Sequence, residues 1–450
     1  MAGAMAIPER SSDARALAST PYWWEDAPRP SLADRSLPPS VDVAVIGSGI
    51  TGLSAARTLA RAGRSVLILE AGAAGHGASS RNAGYVGRTL KHSFRGLAER
   101  RGLARAIGIY RELRAAFDAV VEVVRAEQLD CALRICGRFI AANSPRHYEE
   151  LARELEARRT HLGDEFEMVP RSQQHREIGS ELYFGGALIP DLGALHPGLY
   201  HLGLLDAAMR SGAHIAANNA VAGVRGEGRR GRFEIESARG TIRAKDVVVA
   251  TNGYAGPAVT WVERRVIPFD AYMIATEPLP PALLDRALPQ NRTVIDSNHN
   301  INFIRRSPDG RHILFGGRTG SRLPSPEAAA RRLGRELARI FPDLAGVPLT
   351  HSWTGRCAAT FDLFPHMGAH DGIHFAMGYC FAGVPMGTYL GQKVALKILG
   401  SADAETVFDG PSFPTFPFYR GRPWFVPPVM GGLDLVDRWH GRARKGEARA

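Results

Sequence analysis

The sequence predicts an α/β fold with a parallel sheet, interrupted by a second unit of α+β type whose sheet is mixed or antiparallel. Three observations carry this. Val43 to Ile46 reads as a buried strand that runs into a glycine turn at Gly47, Gly49 and Gly52. Ile50 to Ala62 has helical apolar spacing, Gly63 offers a stop, and Val66 to Leu69 is a second buried strand, so the unit is β-α-β. Far downstream, Phe269 to Thr276, Asn302 to Arg305 and His312 to Phe315 read as strands of another sheet, the last two joined by the turn signals of Ser307 to Gly310.

Taken in order, residues 1–40 form an irregular arm broken by Pro28, Pro30, Pro38 and Pro39, with Tyr22, Trp23 and Trp24 available to pin it to the body by packing. In the β-α-β unit, Gly47 permits a tight turn, Gly49 lets the backbone approach a pyrophosphate, and Gly52 lets helix and strand pack closely. The helix start adds free N–H groups and a positive dipole end. Glu70 closes the second strand eighteen residues after Gly52, where its carboxylate can accept from ribose hydroxyls and would repel a 2′-phosphate. The motif by itself does not separate FAD from NAD. The next block, GHGASSRNAGYVG from Gly75 to Gly87, is a small polar loop near the carboxyl ends of these strands. Ser79 and Ser80 can donate, Arg81 can neutralise phosphate, and Asn82 can do either.

Together with VAVIGSGITGLSAARTLARAG, Glu70 and GASSRNAG, two late blocks, TGRCAATFDLFPHMG and DGIHFAMGYCFAGVPMGTYLGQKVALKILG, resemble the D-amino-acid-oxidase-like (DAO) superfamily of FAD-dependent oxidoreductases. Within it the chain is most similar to the gamma-glutamylputrescine oxidase and glycine/sarcosine oxidase group. The resemblance implies a glutathione-reductase-like FAD domain interrupted by a substrate domain. By analogy Gly47, Gly49, Ile50, Thr51, Gly52, Glu70 and Ala71 hold the ADP half. Gly77, Ala78, Ser79, Ser80, Arg81, Asn82, Ala83 and Gly84 approach the pyrophosphate and flavin. Val221 matches a position whose backbone meets adenine, Thr251 and Asn252 form the polar exit of a core strand, and Gly355, Gly378, Gly383 and Val384 return beside the flavin.

Three departures from that family stand out. The strand HILFGGR places Leu314 where the sarcosine branch carries a lysine for oxygen activation. Gly355 stands at the apparent position of its flavin-linking cysteine, so noncovalent FAD is expected. Cys380, Phe381 and Ala382 replace the Asn-Gly-His of the related pattern, which removes an imidazole and adds apolar bulk.

The expected division is arm 1–40, FAD domain 41–97, substrate domain 98–190, FAD domain 191–260, substrate domain 261–345, FAD domain 346–400 and a C-terminal extension 401–450. Ala98 to Glu127, Pro145 to Leu162, Leu199 to Ser211, Ser325 to Phe341 and Gly387 to Leu399 read as helices, and His214 to Gly223 and Val247 to Ala250 as strands. The charged run GEGRRGR reads as a solvated hairpin turn.

The implied chemistry is oxidation of an amine or amino acid by hydride transfer to flavin, giving an imine that can hydrolyse. Oxygen is the expected acceptor, with peroxide as product. A dehydrogenase passing electrons to a quinone or protein acceptor is the rival that Leu314 supports, and a catalytically silent FAD-binding partner is the third reading. Candidate pocket residues are Tyr272, His299, Arg305, His351, Trp353, Arg356 and Phe381; no catalytic residue is assigned. His366, His370 and His374 share helical spacing, but Gly368, Asp371 and Gly372 argue against a helix, so no metal is expected.

Composition narrows the rest. Lys and Arg exceed Asp and Glu, 56 to 45, for a formal charge of +11 that can attract an anionic cofactor or substrate. No zinc-finger spacing or aromatic-laced basic stripe suggests nucleic acid. Four cysteines without a CxxC pair, no signal-peptide core and no transmembrane-length apolar run make the cytoplasm the default. Oligomeric state is not readable.

Overall fold

The computed structural model describes residues 16–33, 35–227, 232–410 and 412–447. Two eight-stranded sheets are interleaved along the chain. The first has a parallel centre ordered Ile373–Met377, Gly240–Val249, Ser40–Ile46, Val66–Leu69, His214–Ala216. Its continuous apolar runs reflect burial on both faces. Val43, Val45 and Ile68 pack under the helices Ile50–Arg61, Leu103–Ala126, Pro197–Arg210 and Gly383–Ile398. Ala44, Leu67 and Val249 face the other way, toward Phe233 and Ile235 of an antiparallel flap, Val221–Glu227 and Arg232–Ser237. Residues 228–231 of the expected charged turn lie outside the described residues.

The second sheet is mixed. Its order is Leu349–Ala359, Ile267–Thr276, Ile313–Gly317, Phe303–Arg306, Thr293–Asp296, Arg138–Ala141, Gly186–Ile189, Glu167–Val169. Only the pairing of Thr293–Asp296 with Arg138–Ala141 is parallel. Pro326–Ile340 covers one face, laying Leu333 and Leu337 against Ile274 and Phe315.

Several elements depart from the sequence reading. Leu349–Ala359 pairs along Ile267–Thr276, so the chain leaves the second sheet after Ala359 rather than near 346. Leu103–Ala126, expected in the substrate domain, shares the core of the first sheet through Leu113, Phe117 and Val120. The single strand expected from His214 to Gly223 is two, because Asn218 takes a left-handed conformation and the N–H groups of Asn218 and Asn219 turn back to the carbonyls of Gly72 and Glu70. The three histidines sit on the hairpin His366–His370 and Ile373–Met377, where His366 bonds Asp362 and His370 stacks on Trp261.

The arm is pinned by Tyr22–Trp24, with Trp23 fully buried. The C-terminal helix Val426–Glu447 ties to second-sheet loops through Asp434, which pairs with Arg318 and Asn300, and Asp437, which pairs with His299. An ion network, buried at Arg88, Arg158 and Asp164 and open to solvent at Arg114 and Asp191, joins these three arginines and two aspartates. No helix among the described residues is long and apolar enough to cross a membrane.

Candidate functional site

A cavity of about 510 Å³ begins at the glycine turn and ends against the second sheet. That volume is within the range of small-molecule and cofactor sites. The turn has the geometry a dinucleotide needs. Gly47 has φ +103°, and a Cβ on Gly52 would lie 2.0 Å from the Gly47 carbonyl oxygen. Glu70 is fixed by the same turn: its Oε2 accepts from the Ser48 N–H at 2.9 Å and the Ser48 hydroxyl at 2.7 Å, and its Oε1 accepts from the Gly72 N–H at 3.1 Å. The Ser79 hydroxyl accepts from the Ile50 N–H at 3.0 Å, at the helix start where an anion is favoured.

Most of the residues assigned to the cofactor line this cavity. They are Gly47, Gly49, Ile50, Thr51, Glu70 and Ala71 at one end, then Gly77, Ala78, Ser79, Arg81, Asn82 and Ala83. Val221, Thr251, Asn252, Gly355, Gly383 and Val384 complete the set. Thr251 carries a buried hydroxyl without a partner among the described residues, a polar group left for a ligand. Four assigned residues stand behind the wall. Gly52 packs under the turn. Ser80 donates to the Gly75 carbonyl and accepts from Trp24 Nε1 at 2.9 Å. Gly84 has φ +70° with its backbone against Leu195, and Gly378 donates its N–H to Asn252 Oδ1 at 2.9 Å. Asn82 lines the cavity, but its side chain is spent on Ala78, Ser79 and Gly84 of its own loop.

Of the seven pocket candidates, Arg356 and Phe381 line the cavity; the other five do not. Tyr272 is one residue out of phase. Ala271 and Met273 face the cavity, whereas the Tyr272 hydroxyl donates to the Ser321 carbonyl on the opposite face of the strand. His299 is held by Asp437 at the surface. Arg305 donates to the carbonyls of Ala83 and Leu195, tying the second sheet to the nucleotide loop. His351 packs on Tyr22 beside Glu25. Trp353 donates its Nε1 to the Arg81 carbonyl at 2.9 Å from behind the wall.

The cavity contains residues that the sequence reading missed. Ile295, Ile301 and Phe303 bring an apolar wall from the second sheet and its loops, and Tyr85, Thr89, Arg138 and Thr319 stand beside it with polar groups. Phe303 belongs to a strand recognised from sequence, but which of its faces meets the nucleotide domain is set only by packing. Cys380 and Phe381 both have left-handed φ, +44° and +77°. The family pattern places Asn and Gly there, the residues that tolerate this conformation, so here each costs about 1 kcal/mol or more. The Lys91 ammonium lies 4.7 Å from the Phe381 ring centroid. Glu70 is the only carboxylate among the described lining residues, against three arginines, Arg81, Arg138 and Arg356.

His201 buttresses the turn. It is fully buried, its Nε2–H donates to the Ser48 carbonyl at 2.8 Å, and Arg29 approaches its Nδ1. Burial pulls its pKa down to about 4, from an ordinary 6.5. The unfolded chain therefore takes up this proton first as pH falls. The stabilisation is complete above about pH 6.5 and is lost toward pH 4, on the order of 3 kcal/mol for this group. Urea unfolding of wild type and His201→Gln at pH 7 and pH 5 checks this: wild type should lose more stability than the variant over that interval.

The family described as FAD dependent oxidoreductase (DAO) matches residues 42–396 of this chain. A gamma-glutamylputrescine oxidoreductase of Escherichia coli is 30% identical over 388 residues, covering 86% of this chain and 89% of that protein. A glycine oxidase of Geobacillus kaustophilus is 25% identical over 385 residues, 82% of this chain and 94% of that one. A crystal structure of glycine oxidase from the same species superposes with a TM-score of 0.70 at 24% identity, covering 84% of this chain and 99% of that chain.

Proposed function

The chain belongs to the DAO family of FAD-dependent oxidoreductases, and from that premise we propose that it oxidises the C–N bond of a small amine or amino acid, with FAD held noncovalently and oxygen as electron acceptor. The observation that carries this reading is the continuity of the cavity, from Glu70 and the glycine turn to the apolar wall of Met273, Ile301 and Phe303. The residues present fit FAD. Glu70, anchored by Ser48, suits the ribose hydroxyls. The Gly47–Ile50 turn with Ser79 suits the pyrophosphate, and Val221 suits the adenine end. Bound FAD supplies the two-electron acceptor.

The protein's own part is to position the donor and exclude water. Ile295, Ile301, Phe303 and Met273 make an apolar wall. Glu70 and His76, the carboxylate and the imidazole among the described lining residues, belong to the nucleotide loops, so a donor whose amine is neutral would react against this wall without a protein base. The imine product hydrolyses in water. Noncovalent attachment is supported by the two cavity thiols: burial raises Cys357 to about 12 and Cys380 to about 11, which keeps both protonated and poorly nucleophilic. The E. coli relative is named for an amine donor and the G. kaustophilus relative for an amino acid, and both donor types suit this wall.

A dehydrogenase is the second reading, favoured by Leu314. It is fully buried in an apolar cluster with Met273 and Trp353 and offers no cation for oxygen activation. One experiment separates the readings. Anaerobic titration of the flavoprotein with a panel of amines and amino acids should bleach the flavin, and admitted oxygen should restore its absorbance with peroxide formed. Bleaching without prompt return on oxygen selects the dehydrogenase. No bleaching by any donor refutes both.

A further inference from the structure

We propose that residues 416–436 form a docking surface for an anionic lipid bilayer, on which the molecule rests peripherally through Phe416, Phe418, Trp424, Val429, Leu435 and Val436. The reaction in the cavity is not needed for this inference, which rests on a different part of the surface.

Two adjoining stretches hold apolar side chains in solvent. The first is the proline-rich run from Phe413 to Phe425. Phe413 and Tyr419 are buried and fasten it: the Phe413 ring stacks on His366 at 4.3 Å between centroids, and the Tyr419 hydroxyl donates to the Val266 carbonyl at 2.8 Å. Around these anchors Phe416, Phe418 and Trp424 stand out, at 64, 95 and 76% exposure. Among the described large apolar residues outside 416–436, none is more than 52% exposed. The second stretch is the first half of the helix Val426–Glu447, whose amphipathic pattern is reversed. Its acids face the body: Asp434 accepts from Asn300 Nδ2 at 3.0 Å and pairs with Arg318, and Asp437 accepts from His299 Nδ1 at 2.8 Å. Val429, Leu435 and Val436 face solvent, and Gly431 and Gly432 leave open space beside them. A helix on a wet surface turns its apolar stripe inward and its charges outward, so an outward apolar face marks a partner.

Charge chooses the occupant. No acidic residue stands between Asp409 and Asp434. Arg420 and Arg422 are exposed in the middle of that interval, with no carboxylate partner among the described residues. After Asp437 the sequence adds Arg438, Arg442, Arg444, Lys445 and Arg449 against Glu447 alone. Aromatic rings interleaved with cations suit the headgroup layer of an anionic bilayer, where the rings reach the apolar boundary and the cations meet lipid phosphates and carboxylates. A second copy of the chain fits worse, because a self-complementary contact sets these cations against their own equivalents. A folded protein partner needs matched shape, and these rings protrude singly from a loop. Docking is peripheral, since no helix among the described residues is long and apolar enough to cross a membrane. The surface also lies beside the cavity: Tyr419 and Phe425 pack on Phe361 in one cluster with Cys380, and Cys380 and the exposed Phe381 are in the cavity wall.

The test uses the FAD-loaded full chain and cosedimentation with vesicles of phosphatidylcholine, alone or with about one-third phosphatidylserine. Wild type should bind the anionic vesicles at least about 10-fold more tightly than the neutral ones, and about 0.5 M salt should weaken that binding. Phe418→Ser combined with Trp424→Ser should weaken it by about 10-fold or more. Flavin content and melting temperature should hold in that variant, because both side chains are exposed. Arg420→Gln combined with Arg422→Gln should bring anionic binding down toward the neutral-lipid level. Met209→Ser alters an exposed apolar residue on another helix, Pro197–Arg210, and should bind like wild type. Bromine-labelled lipid should quench tryptophan fluorescence in wild type and quench it less in Trp424→Phe. Wild type that stays in the supernatant with anionic vesicles overturns the proposal. Equal binding by wild type and the Phe418→Ser, Trp424→Ser variant overturns it too, and assigns the attraction to the net charge of +11. A wild-type dimer that the same variant splits, without vesicle binding, gives the surface to a second copy and ends the lipid reading. The oxidation reaction is read separately, from flavin bleaching without vesicles, and none of these outcomes bears on it.

Discussion

Gly52→Ala is expected to leave a protein purified almost free of flavin. The added methyl would sit 2.0 Å from the Gly47 carbonyl oxygen and 3.2 Å from a Val45 methyl. Both neighbours are rigid. Gly47 is backbone with φ +103°, and Val45 is fully buried in the central strand. The helix Ile50–Arg61 must therefore move off the sheet, taking with it the N–H groups that face the pyrophosphate. We expect FAD affinity to fall by a factor of 100 or more, equivalent to about 3 kcal/mol. Flavin absorbance per protein after gel filtration reads the loss. Gly432→Ala is the control: its site is open space on the C-terminal helix, and it should retain full flavin. Flavin content equal in the two variants would show that the turn does not hold the cofactor.

The second large effect concerns stability. Asp164 is buried and serves three arginines, Arg88, Arg114 and Arg158. Asp164→Ala leaves Arg158 without a carboxylate partner and leaves Arg88 and Arg114 sharing Asp191 alone. Breaking a buried pair from one side costs about 3–5 kcal/mol, because the stranded charge keeps its desolvation penalty. Urea denaturation should show the midpoint moving down by that equivalent with an unchanged slope. A change under about 1 kcal/mol would mean that water reaches the network and screens it.

The parts of the site that were legible in the sequence are those whose chemistry is local. Gly47, Gly49, Gly52 and Glu70 are separated by one helical turn and one β-α-β unit, so spacing alone implies their geometry. The loop from Gly77 to Asn82 follows directly. The second-sheet wall was opaque for a physical reason. A strand alternates faces residue by residue, and only the packing partner decides which face is which. The sequence therefore points to Tyr272, whereas Ala271 and Met273 line the cavity. Arg138 gave no signal, since an arginine in RFIA reads like any strand-edge cation until its place in the cavity wall is visible. Arg305 and Trp353 illustrate the converse. Both are conspicuous residue types, and both turn out to clamp the nucleotide loop from behind, through the carbonyls of Ala83 and Arg81. Boundaries failed where one element serves both units: Leu103–Ala126 lies in a stretch that feeds the second sheet yet packs its apolar stripe on the first.

The interleaving of the two sheets restricts how this molecule can be taken apart. The backbone enters the second sheet at Arg138, returns to the first at His214, re-enters at Ile267 and comes home at His366. No single cut separates the halves, and any contiguous fragment inherits an orphaned strand edge from one sheet or the other. Neither lobe is excisable, and their relative placement is written into four crossings rather than one hinge. A donor bound against the second sheet thus meets a flavin bound against the first within one continuous scaffold, with reach between them fixed by the threading of the chain.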